Sequence, residues 1–115
     1  MSLNELPLVS SLDAYQAQAL TMRKGMEHDE HDADYLTLQL CSEAGEVGAK
    51  LAKYYRDGGQ LPLEAMKKEL GDVLWYVAVL ASWLGVRLSD IANGNLNKLA
   101  DRKARGVLGG SGDDR

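Results

Sequence analysis

The sequence predicts an all-α protein, and three observations support that prediction. Apolar residues recur every three or four positions along most of the chain, which is the spacing of one helix face. No stretch alternates with period two between turn residues, as a half-buried strand would. Glycine clusters and the two prolines divide the chain into four segments that are long enough for helices. We therefore expect four helices in one domain that spans residues 1–115.

The first two helices are bounded by capping and terminating residues. The first is expected from Leu12 to Met26, with Ser10 as its N-cap and Asp13 three residues further on. The second is expected from Tyr35 to Arg56, because the Asp-Gly-Gly sequence that follows is a strong helix terminator.

The third and fourth helices are expected from Pro62 to Gly85 and from Ser89, as N-cap, to about Arg105. Leu88 is placed to form a hydrophobic staple before the fourth helix. The second half of the third helix is apolar on every side, and a monomer of this size can hardly bury such a helix. The pattern predicts a chain that completes its helical bundle by homo-oligomerisation.

Composition excludes several classes of protein. The 17 acidic and 13 basic residues give a net charge of −4, whereas a protein that binds nucleic acid normally has a basic surface. A single cysteine cannot form an internal disulfide, which favours a cytoplasmic location. The N-terminus lacks the layout of a signal peptide. The longest apolar run, from Val73 to Leu84, is too short for a membrane span. We expect neither a nucleic acid nor a membrane as partner.

Two short acidic motifs are the most informative feature of the sequence. Each has two carboxylates three residues apart, so both project from one helix face. The four residues are Glu43 and Glu46 on the second helix, and Glu69 and Asp72 on the third. Glu43 and Asp72 are nearly equidistant from the turn between these helices, and so are Glu46 and Glu69. All four carboxylates should therefore meet at one level of a central antiparallel helix hairpin.

Carboxylates in such a cluster repel one another unless a cation neutralises them. Each like-charge pair at ~4 Å costs on the order of 4 kcal/mol at an effective dielectric of 20. Oxygen ligands suit Mg²⁺ or Mn²⁺ rather than zinc, and a di-iron site is disfavoured because no Glu-x-x-His is present. The mid-helix glycines Gly45 and Gly71 indicate a close helix contact or room for a ligand. A solvated acidic face is the simpler alternative.

The order of the motifs resembles that of the MazG-type nucleotide pyrophosphohydrolases, which are all-α enzymes. The resemblance rests on SEAGEV at 42–47, on KELGDVLWYVAVLA at 68–81 and on the segment 95–102, which is similar to NxxKLxxR. It covers roughly residues 35–105 and leaves out a glycine-rich tail at 106–115.

This resemblance implies hydrolysis of nucleoside triphosphates, (d)NTP, to (d)NMP and pyrophosphate for nucleotide-pool housekeeping, in a homodimer or homotetramer. It implies Mg²⁺, with Mn²⁺ as a substitute, on the four acidic residues, and either Glu43 or Glu46 would act as general base. Asn95 and Lys98 match positions that contact the phosphates. Arg102, one turn beyond Lys98, would help to stabilise the pyrophosphate leaving group.

The sequence also fits two other functions. The same fold includes phosphoribosyl-ATP pyrophosphohydrolases, and a non-catalytic helical module could use the acidic cluster to bind a cation or a basic partner. Ser42 stands where many relatives have a glutamate, which leaves the number of metal ions open. Tyr76 shares a helix face with Asp72 and could lie near the substrate. The glycine-rich tail is either unstructured or folds over the phosphates.

Overall fold

The computed structural model describes residues 6, 8–23 and 31–115. Within these residues it contains four α-helices and no strand, which confirms the predicted all-α class. The helices are α1 (Leu12–Met22), α2 (Asp32–Asp57), α3 (Leu63–Trp83) and α4 (Leu88–Ala104).

The helix boundaries differ from the predicted ones mainly at the N-termini. Ser11, not Ser10, caps α1, and its Oγ accepts a hydrogen bond of 3.0 Å from the backbone N–H of Ala14. Helix α2 begins three residues before Tyr35, at Asp32. The segment between α1 and α2 lies largely outside the described residues, and so does the predicted extension of α1 to Met26.

Helix α3 is the centre of the fold, because each of the other three helices packs against it. Its apolar second half supplies three of the six buried apolar residues in the described part of the chain. The buried apolar residues are Ala19, Leu36, Ala78, Val79, Ala81 and Leu88.

The N-terminus of α4 is capped by side chains of α1 rather than by its own residues. The backbone N–H of Leu88 donates to Gln16 Oε1 at 2.8 Å, and that of Ser89 donates to Asp13 Oδ1 at 3.0 Å. The hydroxyl of Ser89 also donates to Asp13 Oδ2 at 2.7 Å. The predicted N-cap role of Ser89 is therefore wrong. Helix α4 starts one residue earlier, with Arg87 at the N-cap position, so the amide of Ser89 needs an acceptor from elsewhere.

Gln16 extends this contact to the connection between α3 and α4. Its Nε2 donates to Ser82 Oγ at 2.9 Å and to the carbonyl of Val86 at 3.0 Å. Both the nitrogen and the oxygen of the side-chain amide are therefore hydrogen-bonded, as a residue that is only 7% exposed requires. This hydrogen-bond network fixes α1 against the corner at which the chain turns from α3 into α4.

A buried ion pair joins the end of α1 to the start of α2. Arg23 Nη2 and Asp32 Oδ1 are 2.6 Å apart, and both side chains are almost fully buried. Breaking a buried pair leaves an uncompensated charge, so this contact constrains the position of α2 relative to α1.

Much apolar surface remains exposed on the helices of the single chain. The exposed large apolar residues of α2, α3 and α4 are Tyr35, Leu38, Tyr55, Leu63, Leu70, Leu74, Trp83, Ile91 and Leu96. No single helix among those described has the length and apolarity to cross a membrane, and only the bent pair α3 and α4 together meets that test, by length and composition alone.

Candidate metal centre

Three of the four predicted carboxylates lie together where α2 packs against α3. One oxygen each from Glu43, Glu69 and Asp72 lies within 4.8 Å of the others. Glu43 and Glu69 are partly buried, whereas Asp72 is exposed. Glu69 and Asp72 share one face of α3 because they are three residues apart, and the packing of α2 brings Glu43 to that face.

Glu46 stands at the edge of this cluster. It lies one helical turn beyond Glu43 on α2 and is exposed, and its carboxylate is not one of the three that converge. It is nevertheless close enough for its charge to raise the pKa of Glu43. The structure thus brings three carboxylates together and leaves a fourth beside them.

The electrostatics of the cluster act most strongly on Glu43. Burial raises the pKa of this carboxyl group, and the charges of Asp72 and Glu69 raise it further. The closeness of the Glu69 carboxyl group and the charge of Glu46 act in the same direction. Either a proton on Glu43 or a cation beside it would therefore relieve the repulsion among these carboxylates.

Two tyrosines, Tyr15 and Tyr76, lie near the carboxylates, and Tyr35 lies beside Tyr76. Burial raises the pKa of Tyr76, and its neighbours Tyr35, Glu43 and Asp72 raise it further. Burial and the charge of Asp72 also raise the pKa of Tyr15. The spacing in the sequence identified Tyr76 as a neighbour of Asp72. It gave no such signal for Tyr15 or Tyr35, because the placement of α1 and of the start of α2 depends on tertiary contacts.

The mid-helix glycines of the two motifs border open space. A Cβ atom added at Gly45 or at Gly71 would meet nothing within 4 Å in this chain. A close contact between helices of one chain therefore does not explain them. The second explanation, room beside the carboxylates for a bound molecule, agrees with this geometry.

The predicted phosphate-binding residues lie on α4, apart from the carboxylates. Asn95 is exposed. Lys98 and Arg102 both form ion pairs with Asp113, at 3.3 and 3.2 Å, and in the described part of the chain neither pairs with the acidic cluster. Helices α2 and α4 do not contact each other. In a single chain the carboxylates thus form one cluster, and Lys98 and Arg102 form a second group at another place.

A well-formed cavity is also separate from the carboxylates. It has a volume of about 510 Å³ and lies near the end of α1, with the buried Arg23–Asp32 pair and Trp83 in its wall.

Comparison with known proteins identifies the family. Residues 32–107 match the MazG nucleotide pyrophosphohydrolase domain. The chain belongs to this family. The matched segment includes the four acidic residues and the whole of α4, and it ends before the last eight residues of the chain.

One curated relative supports the assignment to the MazG family. The chain is 49% identical to the Gene 37 protein of Mycobacterium phage L5 over 85 residues, which cover 70% of this chain and 75% of the relative. No solved structure gives a significant match. Membership of the MazG family indicates nucleotide pyrophosphohydrolase activity in general and agrees with the acidic cluster, since the family is typically metal-dependent.

Proposed function

We propose that this protein is a Mg²⁺-dependent nucleoside triphosphate pyrophosphohydrolase that maintains the nucleotide pool. Water attacks the α-phosphorus of a (d)NTP, the bond from that phosphorus to the bridging oxygen breaks, and (d)NMP and pyrophosphate leave. The observation that supports this proposal best is the convergence of Glu43, Glu69 and Asp72 in a chain of the MazG family.

The donor atoms fit a hard divalent cation. All three are carboxylate oxygens, and Mg²⁺ and Mn²⁺ prefer oxygen ligands, whereas zinc prefers nitrogen or sulfur. Two of the residues are partly buried, unlike the carboxylates of a fully solvated helix face. A cation bound there would shield the triphosphate charge and acidify the attacking water.

Glu46 is the carboxylate best placed to act as general base. The other three converge on one point, which suits them as ligands, and Glu46 remains free of that cluster but within electrostatic range of Glu43. An exposed carboxylate one helical turn away can accept the proton of a water molecule held between it and the ligands.

Lys98 and Arg102 are proposed to bind the phosphates, with Asn95 on the same helix as a further donor. Both cationic groups already hold the carboxylate of Asp113, so they present donors to an anion. An arginine and a lysine next to each other suit the negative charge of a departing pyrophosphate.

Self-association would cover the apolar surface of the helices. Leu63, Leu70 and Leu74 form an exposed stripe on α3, separate from the face that presents Glu69 and Asp72. We propose that α2 and α3 form an antiparallel hairpin that pairs through such surfaces in a cytoplasmic homodimer or homotetramer. A bundle made from several chains would bury what one chain leaves exposed.

The first experiment is a panel of canonical and modified nucleoside triphosphates, together with phosphoribosyl-ATP, incubated with Mg²⁺ or Mn²⁺. Chromatography should find monophosphate and pyrophosphate as products of at least one nucleoside triphosphate. Turnover of phosphoribosyl-ATP alone would identify the related enzyme instead. Diphosphate and phosphate as products would contradict the mechanism. A metal-stabilised protein that turns over no compound would be a non-catalytic module.

A further inference from the structure

The last ten residues fold back onto the end of α4 and form a closed loop, here called the C-terminal tail (residues 106–115). Gly106, Gly110 and Gly112 have positive φ angles of 75°, 96° and 83°, which other residues rarely adopt. The guanidinium group of Arg115 donates hydrogen bonds to the carbonyls of Val107, Leu108 and Gly112. The tail therefore has a defined conformation of its own.

Asp113 connects this tail to the two cationic side chains of α4. Its Oδ1 accepts hydrogen bonds from Lys98 Nζ at 3.3 Å and from Arg102 Nη2 at 3.2 Å. Its backbone carbonyl accepts a second bond from Arg102 Nη2, at 2.7 Å. With the tail in this position, the Arg102 side chain is 4% exposed. Lys98 and Arg102, which are proposed to bind phosphates, thus donate hydrogen bonds to a carboxylate of the same chain.

The chemistry of this contact matches that of a phosphate contact. A carboxylate held by a lysine and an arginine presents anionic oxygens to the same donors as a phosphate group. Hydrogen bonds from Arg102 and Lys98 lower the pKa of Asp113, so its side chain is ionised at neutral pH. A nucleotide that approaches Lys98 and Arg102 meets an anion that is already in place.

The ion pairs of the Asp113 carboxylate are open to solvent and therefore weak enough to be displaced. The Asp113 side chain is 82% exposed and that of Lys98 is 42% exposed. Ion pairs in contact with water contribute little, because solvent screens them and side-chain entropy opposes them. A triphosphate has several negative charges and can replace a single carboxylate. In addition, Asp113 lies beyond the segment that matches the MazG domain, so this competitor belongs to the tail and not to the matched domain.

We propose that the C-terminal tail is an internal competitor of the substrate: Asp113 occupies Lys98 and Arg102 and has to leave before phosphates bind there. This inference rests on the phosphate-binding role proposed for these two residues. It makes the tail an autoinhibitory strap that raises the concentration of nucleotide needed for saturation.

The test uses inorganic pyrophosphate as the probe and titration calorimetry without metal. Asp113→Asn should bind pyrophosphate about threefold to fivefold more tightly than the wild type, the range expected for removal of one exposed ion pair. Asp114→Asn is the matched control. It removes the same charge one residue away and leaves the contacts of Asp113 in place, so it should change the affinity less than twofold.

Equal affinities of the two variants, or weaker binding by Asp113→Asn, would overturn the proposal. Adding Lys98→Met to Asp113→Asn should abolish the increase in pyrophosphate affinity. If the increase persists, pyrophosphate binds at another site, and the proposal is overturned as well. Nucleotide turnover by the wild type is a separate readout. If the wild type turns over nucleotide but Asp113→Asn does not bind pyrophosphate more tightly, only the role proposed for the tail is refuted. If Asp113→Asn binds more tightly but no nucleotide is turned over, the proposed enzyme activity is refuted and the competition by Asp113 stands.

Discussion

A carboxylate oxygen of Glu43 on α2 lies within 4.8 Å of one of Glu69 on α3. Two ionised carboxylates this close repel each other, and a proton or a divalent cation between them relieves that repulsion. The relationship is the physical core of the candidate site, because folding itself brings the two groups together.

Removal of a ligand charge should abolish both metal binding and activity. Asp72→Asn is expected to lower kcat/KM for the best nucleotide by at least about a hundredfold, since a neutral amide holds the cation far less well. It should also remove the rise in Tm that Mg²⁺ gives the wild type. Glu64→Gln on the same helix is the control and should retain both. Full activity in Asp72→Asn would refute the assignment of the site.

Glu43 should make the stability of the metal-free protein depend on pH. Its pKa is higher in the folded than in the unfolded chain. Its stabilising contribution to the free energy of unfolding is therefore full below the unfolded pKa and is lost as the pH rises through the folded pKa. In EDTA at pH 7, Glu43→Gln should therefore melt a few degrees above the wild type. The difference should vanish near pH 4, where the wild-type carboxyl group is largely protonated. A lower Tm for the variant at pH 7 would contradict this assignment.

The helices and the acidic cluster could be predicted from the sequence because both depend on local spacing. Glu43 and Asp72 belong to helices joined by a short turn, so their distances from the turn indicated that they would meet. The contacts of Gln16 and Asp13 with α4 span more than 70 residues and depend on how α1 is oriented. Periodicity gives no information on that orientation. The contact between Asp113 and Arg102 was equally hidden, because glycine turns set the path of the tail.

Gln16 should contribute measurably to the stability of the fold through its buried hydrogen bonds. Gln16→Met keeps the size of the side chain but leaves the N–H of Leu88 and the carbonyl of Val86 without their partner. A buried group that loses its partner costs about 1–3 kcal/mol, so the loss of the bond to the buried N–H of Leu88 should lower the free energy of unfolding by about 1–3 kcal/mol in urea titrations. Gln18→Met, at an exposed position of α1, is the control. Equal stability of the two variants would show that the network contributes nothing.

Asp13 should contribute stability that is lost in acid. Hydrogen bonds from the hydroxyl and the N–H of Ser89 lower the pKa of Asp13 in the folded protein. Its stabilising contribution to the free energy of unfolding is thus present above the unfolded pKa and is lost as the pH falls through the lower pKa of the folded protein. Asp13→Asn should melt several degrees below the wild type at pH 7, and the gap should close as the pH falls below about 3. A gap that stays constant with pH would mean that the charge of Asp13 is unimportant.

Leu70 should be necessary for self-association, if the exposed stripe of α3 is the surface that pairs. The residue is 53% exposed and does not share the face of Glu69 and Asp72. Leu70→Glu places a charge in an apolar contact, and light scattering after size exclusion should then give the monomer mass. Asn97→Glu adds the same charge at an exposed position of α4 and should retain the wild-type mass. An unchanged oligomer in Leu70→Glu would exclude this stripe as the interface, because a buried unpaired carboxylate is too costly for a stable contact to tolerate.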